Sequence, residues 1–296
     1  MHKKNYSIVG CGYIGKKVAS KLLSIGESVE CYVHSQASKD ACQALGLKAG
    51  LLELDSHDFS NEWQTKDNNV IAYFAPPPRQ GMIDTRMTNF ITTLESLEAI
   101  PKKILLISTT GIYGDCQGEW IDETRAVNPQ ADRAHRRLSA ENQLQDFCKS
   151  KNIECIIFRV PGIYAMDKLP VKRITSGEPI VSANDSGYTN RIHADDLSEF
   201  CVEALTQNIN AGVYNCCDGH PSTMNDYFMR VADALKLERP KEISLQQAQK
   251  ELSAGMLSYL AESKRISNKK LLDNFSTKFK YPDLSSALQR EVSSFN

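Results

Sequence analysis

The sequence predicts an α/β fold: a doubly wound parallel sheet with a smaller, mostly helical C-terminal lobe. Three observations predict it. Strand and helix patterns alternate from the start of the chain to Val160. The strand segments are nearly continuous apolar runs, as in parallel strands buried on both faces. A glycine-rich turn, Gly10-Cys11-Gly12-Tyr13-Ile14-Gly15, joins the first strand to the first helix.

The elements follow in order. Tyr6–Val9 is the first strand. Tyr13–Ile25 has helical spacing (Ile14, Val18, Leu22, Ile25), and Gly26 supplies its C-cap. Ser28–Val33 is the second strand, Lys39–Leu45 a short helix ending at Gly46, and Leu47–Leu54 the third strand. Asn69–Ala75 is the fourth strand, stopped by Pro76-Pro77-Pro78. Thr85–Ala99 is a helix with Met87, Phe90, Ile91, Leu94 and Leu97 facing inward. Lys103–Ser108 is the fifth strand, Asp132–Lys149 a helix, and Ile153–Val160 the sixth strand. Turn signals then crowd residues 165–190. A helix over Asp195–Thr206 and a strand over Gly212–Cys216 return to the sheet, and from Pro221 the chain reads as mostly helical.

Composition narrows the function classes. The chain has 296 residues, 41% hydrophobic and 24% charged, ordinary for a globular protein. A net charge of −1 gives no field that favours nucleic acid or a membrane surface. The nine cysteines are odd in number, and several lie inside apolar runs. They read as core thiols in a reducing compartment. No apolar run approaches the ~20 residues of a membrane span, and the N-terminus leads straight into a strand. A cytoplasmic protein is expected.

The glycine turn fits G-x-G-x-x-G in the strand–turn–helix context that gives the pattern its meaning. Gly10 allows the tight turn, Gly12 lets a pyrophosphate approach the backbone, and Gly15 permits close helix–strand packing. The N–H groups around Tyr13 and Ile14 then face the phosphates. This is the fingerprint of a Rossmann dinucleotide-binding unit, expected over residues 1–164. Residues 165–296 form the substrate lobe, with 190–217 rejoining the sheet. NAD-preferring units place a carboxylate at the end of the second strand to hold the ribose 2′-OH. Here His34 and Ser35 stand there, which fits a 2′-phosphate and favours NADP over NAD. Asp55, closing the third strand, either bonds the adenine amino group or caps the next helix. Ala75, Pro76 and Pro77, where the fourth strand stops, complete the candidate cofactor contacts.

Together with Ser108-Thr109-Thr110-Gly111-Ile112-Tyr113-Gly114, Phe158-Arg159-Val160-Pro161-Gly162-Ile163-Tyr164 and Asn190-Arg191-Ile192-His193-Ala194-Asp195-Asp196-Leu197, the glycine turn resembles the extended short-chain dehydrogenase/reductases. More narrowly, these motifs resemble the NAD-dependent epimerase/dehydratase group, over residues 5–235. Ser263-Lys264-Arg265-Ile266-Ser267-Asn268, Tyr281-Pro282-Asp283 and the triple proline resemble an atypical branch of that family.

The resemblance implies a Tyr-x-x-x-Lys pair on the helix after the fifth strand, with a Glu four residues beyond the Lys. That Glu is Glu141, so Arg137 takes the Lys position and Arg133 the Tyr position. Arginine stays protonated and is a poor acid or base near neutral pH. Arg133 and Arg137 share a helix face. They either grip a phosphate or carboxylate, or Arg137 takes the ribose hydroxyls, or with Arg136 they form a solvated basic face. Thr109 falls at the family's catalytic Ser/Thr position. Tyr113, Tyr164, His193 and His135 are further proton-donor candidates, with packing roles favoured for the two tyrosines and a capping role for His193.

Other chemistries find no support. Cys216-Cys217-x-x-His220 is too sparse for zinc, so no metal is expected, and there is no nucleophile elbow or P-loop lysine. The reading is an NAD(P)-dependent oxidoreductase, epimerase or dehydratase acting on a small polar or nucleotide-linked molecule. The alternatives are a non-catalytic dinucleotide-binding redox sensor or regulator, and an interaction module on a relic fold. A homodimer through a helix pair is implied by the resemblance.

Overall fold

The computed structural model describes residues 4–56, 63, 69–97, 100–252, 255, 257 and 260–293. Seven strands build the central sheet: β1 (Asn5–Val9), β2 (Ser28–Val33), β3 (Lys48–Leu51), β4 (Val70–Tyr73), β5 (Lys103–Thr109), β6 (Glu154–Val160) and β7 (Gly212–Asn215). Their spatial order is β7-β6-β5-β4-β1-β2-β3, and every pairing is parallel. The chain starts in the middle, winds outward to β3, then returns to β4 on the other side of β1. A crevice opens at the carboxyl ends of β1 and β4, where the winding reverses.

Helices cover both faces, which is why the strands read as continuous apolar runs. On one face lie α1 (Tyr13–Ser24), burying Ile14, Val18 and Leu22, and α6 (Ala194–Thr206), burying Leu197, Phe200 and Cys201. These two helices are tied across their exposed sides by Lys17 to Asp195 (2.9 Å) and by Lys21 to Glu199. On the other face lie α3 (Thr85–Ser96) and α4 (Asp132–Lys151). Ser139 of α4 accepts from Asp84 N (3.2 Å) at the start of α3. Ala99, the expected end of α3, lies outside the described residues.

Of the boundaries that differ from expectation, two do so for evident local reasons. The second helix is α2 (Gln36–Gln43), not Lys39–Leu45, because Ser35 caps it by accepting from Ser38 N (3.3 Å). The third strand ends at Leu51 rather than Leu54. Leu52 N makes the last bond to β2, at Val33 O (2.9 Å); the Leu52 and Leu54 side chains bury in the cluster with Trp63, and the chain turns where Asp55 N donates to Glu53 Oε1 (2.8 Å).

The C-terminal segments add α5 (Val171–Thr175), α7 (Met224–Ala234), α8 (Leu245–Glu251), α9 (Lys269–Asn274) and α10 (Leu284–Ser293). Ile174, Phe228, Val231, Leu284 and Leu288 form a second core there. All nine cysteines are free thiols, eight of them buried. Among the described residues no helix is long and apolar enough to cross a membrane.

One buried polar network clamps α4 to the sheet. Arg159 on β6 donates to Glu141 on α4 through Nη2 (2.8 Å) and to Tyr113 Oη through Nη1 (3.0 Å). Tyr113 Oη donates to Asn215 Oδ1 on β7 (2.8 Å), so Tyr113 is a packing residue. Burial works against the Arg159 charge, but its bonds to Glu141 outweigh that and raise its pKa. Arg159→Met alone leaves Glu141 charged in the core and should cost ~3–5 kcal/mol. The double variant Arg159→Met/Glu141→Met should recover most of that loss in urea unfolding. Equal stability of the single variant and wild type would show that the pair bears no such weight.

Candidate active site

The glycine turn closes the crevice floor. Gly10 has φ +82°, and its N donates to Tyr32 O (2.9 Å). A Cβ at Gly10 would sit 2.3 Å from Ala75 N, so only glycine lets the end of β1 pass the end of β4. At Gly15 a Cβ would approach Ile8 Cγ2 to 3.2 Å, the close contact of α1 on β1. Gly12 differs: a Cβ there meets nothing nearer than Gly10 O at 3.9 Å, and so points into free space.

That space adjoins an open helix terminus. No side chain caps α1, and its first turn carries no acidic residue. By contrast α2, α3, α6 and α7 are capped by Ser35, Asp84, His193 and Thr223. Uncapped N–H groups and the positive end of the helix dipole are what a pyrophosphate needs. Ile14 is buried, so it offers the ligand only its backbone, and Tyr13 ties the turn to the second core by donating to Asp167 Oδ1 (2.6 Å). The residues present therefore fit a dinucleotide.

Beside the turn lies a pocket of about 280 Å³, of a size for an adenosine moiety, walled by Val33, His34, Ser38, Ala75, Pro76 and Arg86. His34 is exposed at its rim and no carboxylate ends β2. The Ser35 hydroxyl is engaged in capping α2. Asp55 is held by Arg86, Nε to Oδ1 and Nη2 to Oδ2, each 2.6 Å. The Arg86 hydrogen bonds lower the Asp55 pKa. The helix Asp55 was expected to cap falls on residues outside the described set. Arg86 was not legible in the sequence; nothing local marks an α3 arginine as a wall of this pocket.

A second, larger cleft of about 490 Å³ opens at the end of β5, and Pro77 marks its border with the first pocket. Thr109, Arg133 and Arg137 all line it. Thr109 Oγ1 accepts from Gly111 N (3.1 Å). Arg137 Nη1 donates to Ala75 O (3.1 Å), and desolvation lowers its pKa. Arg136 turns the other way, is buried, and donates to Gly81 O (2.6 Å). The solvated basic face is thus corrected: one arginine is buried against the β4–α3 connection and two face the cleft. No tyrosine lies on α4, and its lysines, Lys149 and Lys151, are at its far end.

The opposite wall comes from later segments. Arg191 donates to Ser222 Oγ and Thr189 Oγ1, both at 2.8 Å, with its guanidinium 4.3 Å from the Tyr227 ring centre. Lys264 is buried and donates to Gly114 O (2.6 Å) and to Glu262. Among the described residues, no three His, Cys, Asp or Glu side chains cluster as metal ligands would.

The model of the NAD dependent epimerase/dehydratase family matches residues 7–217. The chain belongs to that family. No curated protein matches the sequence. Among solved structures, a conserved protein of unknown function from Silicibacter pomeroyi is 23% identical with a TM-score of 0.85, covering 99% of each chain. UDP-glucuronic acid 4-epimerase from Bacillus cereus, solved with NAD, is 16% identical with a TM-score of 0.75, covering 98% of this chain and 97% of its own. UDP-glucose 4-epimerase from Thermotoga maritima, solved with UDP-glucose, is 16% identical with a TM-score of 0.76, covering 98% of each. At these identities the likeness is one of fold.

Two other proton-donor candidates of this epimerase/dehydratase chain are accounted for. His135 lines neither cleft. His193 is buried and caps α6: its Nδ1 accepts from Asp195 N (3.2 Å) while Nε2 meets Glu291 Oε1 at 3.2 Å. An accepting Nδ1 fixes the neutral tautomer with its proton on Nε2, and desolvation lowers the pKa to about 4. Tyr164 is different. It lines the cleft, and its Oη is buried with no partner.

The His193 pKa makes a stability prediction. The folded value lies below the unfolded ~6.5, so the unfolded chain takes up the proton first. Stability is full above pH 6.5 and is lost as pH falls toward 4. By pH 5 the loss should be about 2 kcal/mol. His193→Asn keeps a capping side chain and removes the titration. Urea unfolding at pH 8 and pH 5 should show wild type losing that much more than the variant; parallel losses would refute the assignment.

Proposed function

We propose that this chain is an NAD(P)-dependent oxidoreductase or epimerase with a non-standard proton-transfer site, acting on a small polar molecule in the 490 Å³ cleft. The observation that supports it most directly is the uncapped N-terminus of α1, with the free space above Gly12. Other helices, α4 among them, also lack a side-chain cap, but only at α1 does the open end face the free space above a glycine of the G-x-G-x-x-G turn.

When bound, the dinucleotide supplies hydride transfer. The chain does the rest. N–H groups at the start of α1 bind the phosphates. Arg137 stands at the position that the resemblance gives to a lysine, and its remaining donors face the cleft. Thr109 Oγ1 accepts from Gly111 N, so its own proton is left to donate to a substrate oxygen. Burial raises the Tyr164 pKa, which keeps that phenol protonated and makes it a hydrogen-bond donor rather than a base. No carboxylate ends β2, and although Glu53 lines the same pocket, Arg86 does too, so NADP is favoured over NAD. The second reading is a non-catalytic nucleotide sensor. The absence of a tyrosine on α4 favours it, and turnover of any substrate would dismiss it.

Two glycine variants separate binding from folding. Gly12→Val should melt like wild type and lose at least ~100-fold in nucleotide affinity, about 2.7 kcal/mol. Gly10→Ala should lower the melting temperature, because its Cβ collides with Ala75 and its φ is left-handed. Nucleotide fluorescence with NADPH and NADH reads the first effect, with NADPH expected to bind more tightly. Unchanged binding in Gly12→Val would remove the cofactor site from the glycine turn.

A further inference from the structure

Four cations, Arg133, Arg137, Arg191 and Lys264, stand in the wall of the larger cleft without being equivalent. Lys264 has an acidic partner in Glu262. Arg137 and Arg191 have none: among the described residues no carboxylate lies within 4.0 Å of either. Arg191 is 6% exposed and meets only neutral acceptors, Ser222 Oγ, Thr189 Oγ1 and Thr223 O. The Tyr227 ring beneath it holds the guanidinium plane. Asp218 and Asp226 stabilise its charge from farther away, and burial still lowers its pKa. Arg137 makes one hydrogen bond, to Ala75 O, and keeps its remaining donors for a ligand.

Holding a guanidinium away from water costs several kcal/mol unless a counter-charge compensates. A fold that sustains two such groups in one cleft is built for a ligand that brings the opposite charge. Guanidinium forks match the paired oxygens of carboxylates and phosphates. We propose that the substrate is a small organic anion with two acidic groups, one seated on Arg191 against Tyr227 and the other on Arg137 beside Thr109. Arg191 is then a specificity-determining residue. This rests on the reading of the cleft as a substrate site.

The test uses the full chain with saturating NADPH, which keeps added anions off the glycine turn. Malonate, succinate, inorganic phosphate and pyrophosphate are titrated by calorimetry and thermal shift, with the neutral malonamide as control. At least one dianion should bind in the millimolar range or tighter and raise the melting temperature, while malonamide does neither. Preference for malonate and succinate identifies a dicarboxylate; preference for the phosphates identifies a phosphorylated substrate. Either supports the proposal.

Arg191→Gln should weaken that binding at least ~10-fold, with partial recovery in Arg191→Lys, and leave the NADPH affinity unchanged. The unliganded Arg191→Gln protein should melt no lower than wild type, because a buried charge with no carboxylate in contact has been removed; a purely structural arginine would give a lower melting point. The proposal is overturned if no dianion exceeds malonamide, or if Arg191→Gln binds the dianion as wild type does. NADPH fluorescence reads the cofactor separately. Failure of the anions alone sinks this proposal, and failure of NADPH sinks the nucleotide reading. In that second case the anions are titrated into Gly12→Val, where the turn is blocked, and the same two criteria decide.

Discussion

The buried pair of Arg159 and Glu141 fixes the phase of α4, and the phase of α4 decides what faces the cleft. Arg133, Arg137 and Glu141 succeed one another at intervals of four along one helix face. Once Glu141 is held at β6, Arg137 and Arg133 come to the crevice and Arg136 to the far side. The same guanidinium holds Tyr113, which holds Asn215, whose N is accepted by Glu123 (2.7 Å). Helix, turn, two strands and a loop thus converge on one cation. A hydrophobic pair in its place would bind α4 as firmly, but with less control over its rotation.

Ala75 plays a corresponding part on the other side of the crevice. Its N is where a Cβ on Gly10 would collide, its O accepts from Arg137, and the residue walls the adenosine-sized pocket. The triple proline that follows gives no N–H to extend β4, so the chain turns there and carries Pro76 to one pocket and Pro77 to the other. The two pockets are therefore in register through a single short segment, as a two-part ligand site requires.

Much of this was legible in the sequence because it is local. Apolar runs gave the strands of the sheet, and the spacing of three glycines gave the turn at the carboxyl end of β1. The misses have a common physical cause. Ser35, read as a ligand contact, also caps α2, a second role that a serine just before a helix commonly takes. The end of the third strand was overrun because Leu52 and Leu54 are as apolar as strand residues but bury beyond the sheet. Arg86 finds Asp55, and Lys264 finds Gly114, only through tertiary folding across long stretches of chain. Arg191 stood inside a quoted motif, but nothing in the sequence shows that it is buried with only neutral groups in contact.

The composition of the cleft bears on how chemistry can proceed in it. A tyrosine–lysine pair works because the lysine charge brings a phenol within reach of neutral pH. This cleft offers the reverse arrangement. Its helix presents arginines, which hold charge and do not exchange protons near neutrality. Tyr164, whose buried phenol has no partner among the described residues, lies near Asp218, and burial together with that carboxyl pushes the phenol further from ionisation. Groups that stay protonated can orient a substrate and stabilise negative charge that develops on its oxygen, but they do not remove a proton. A substrate suited to such a site is a carbonyl that receives hydride from the bound dinucleotide: these donors stabilise the negative charge that arrives on its oxygen, and a proton from solvent completes the alcohol.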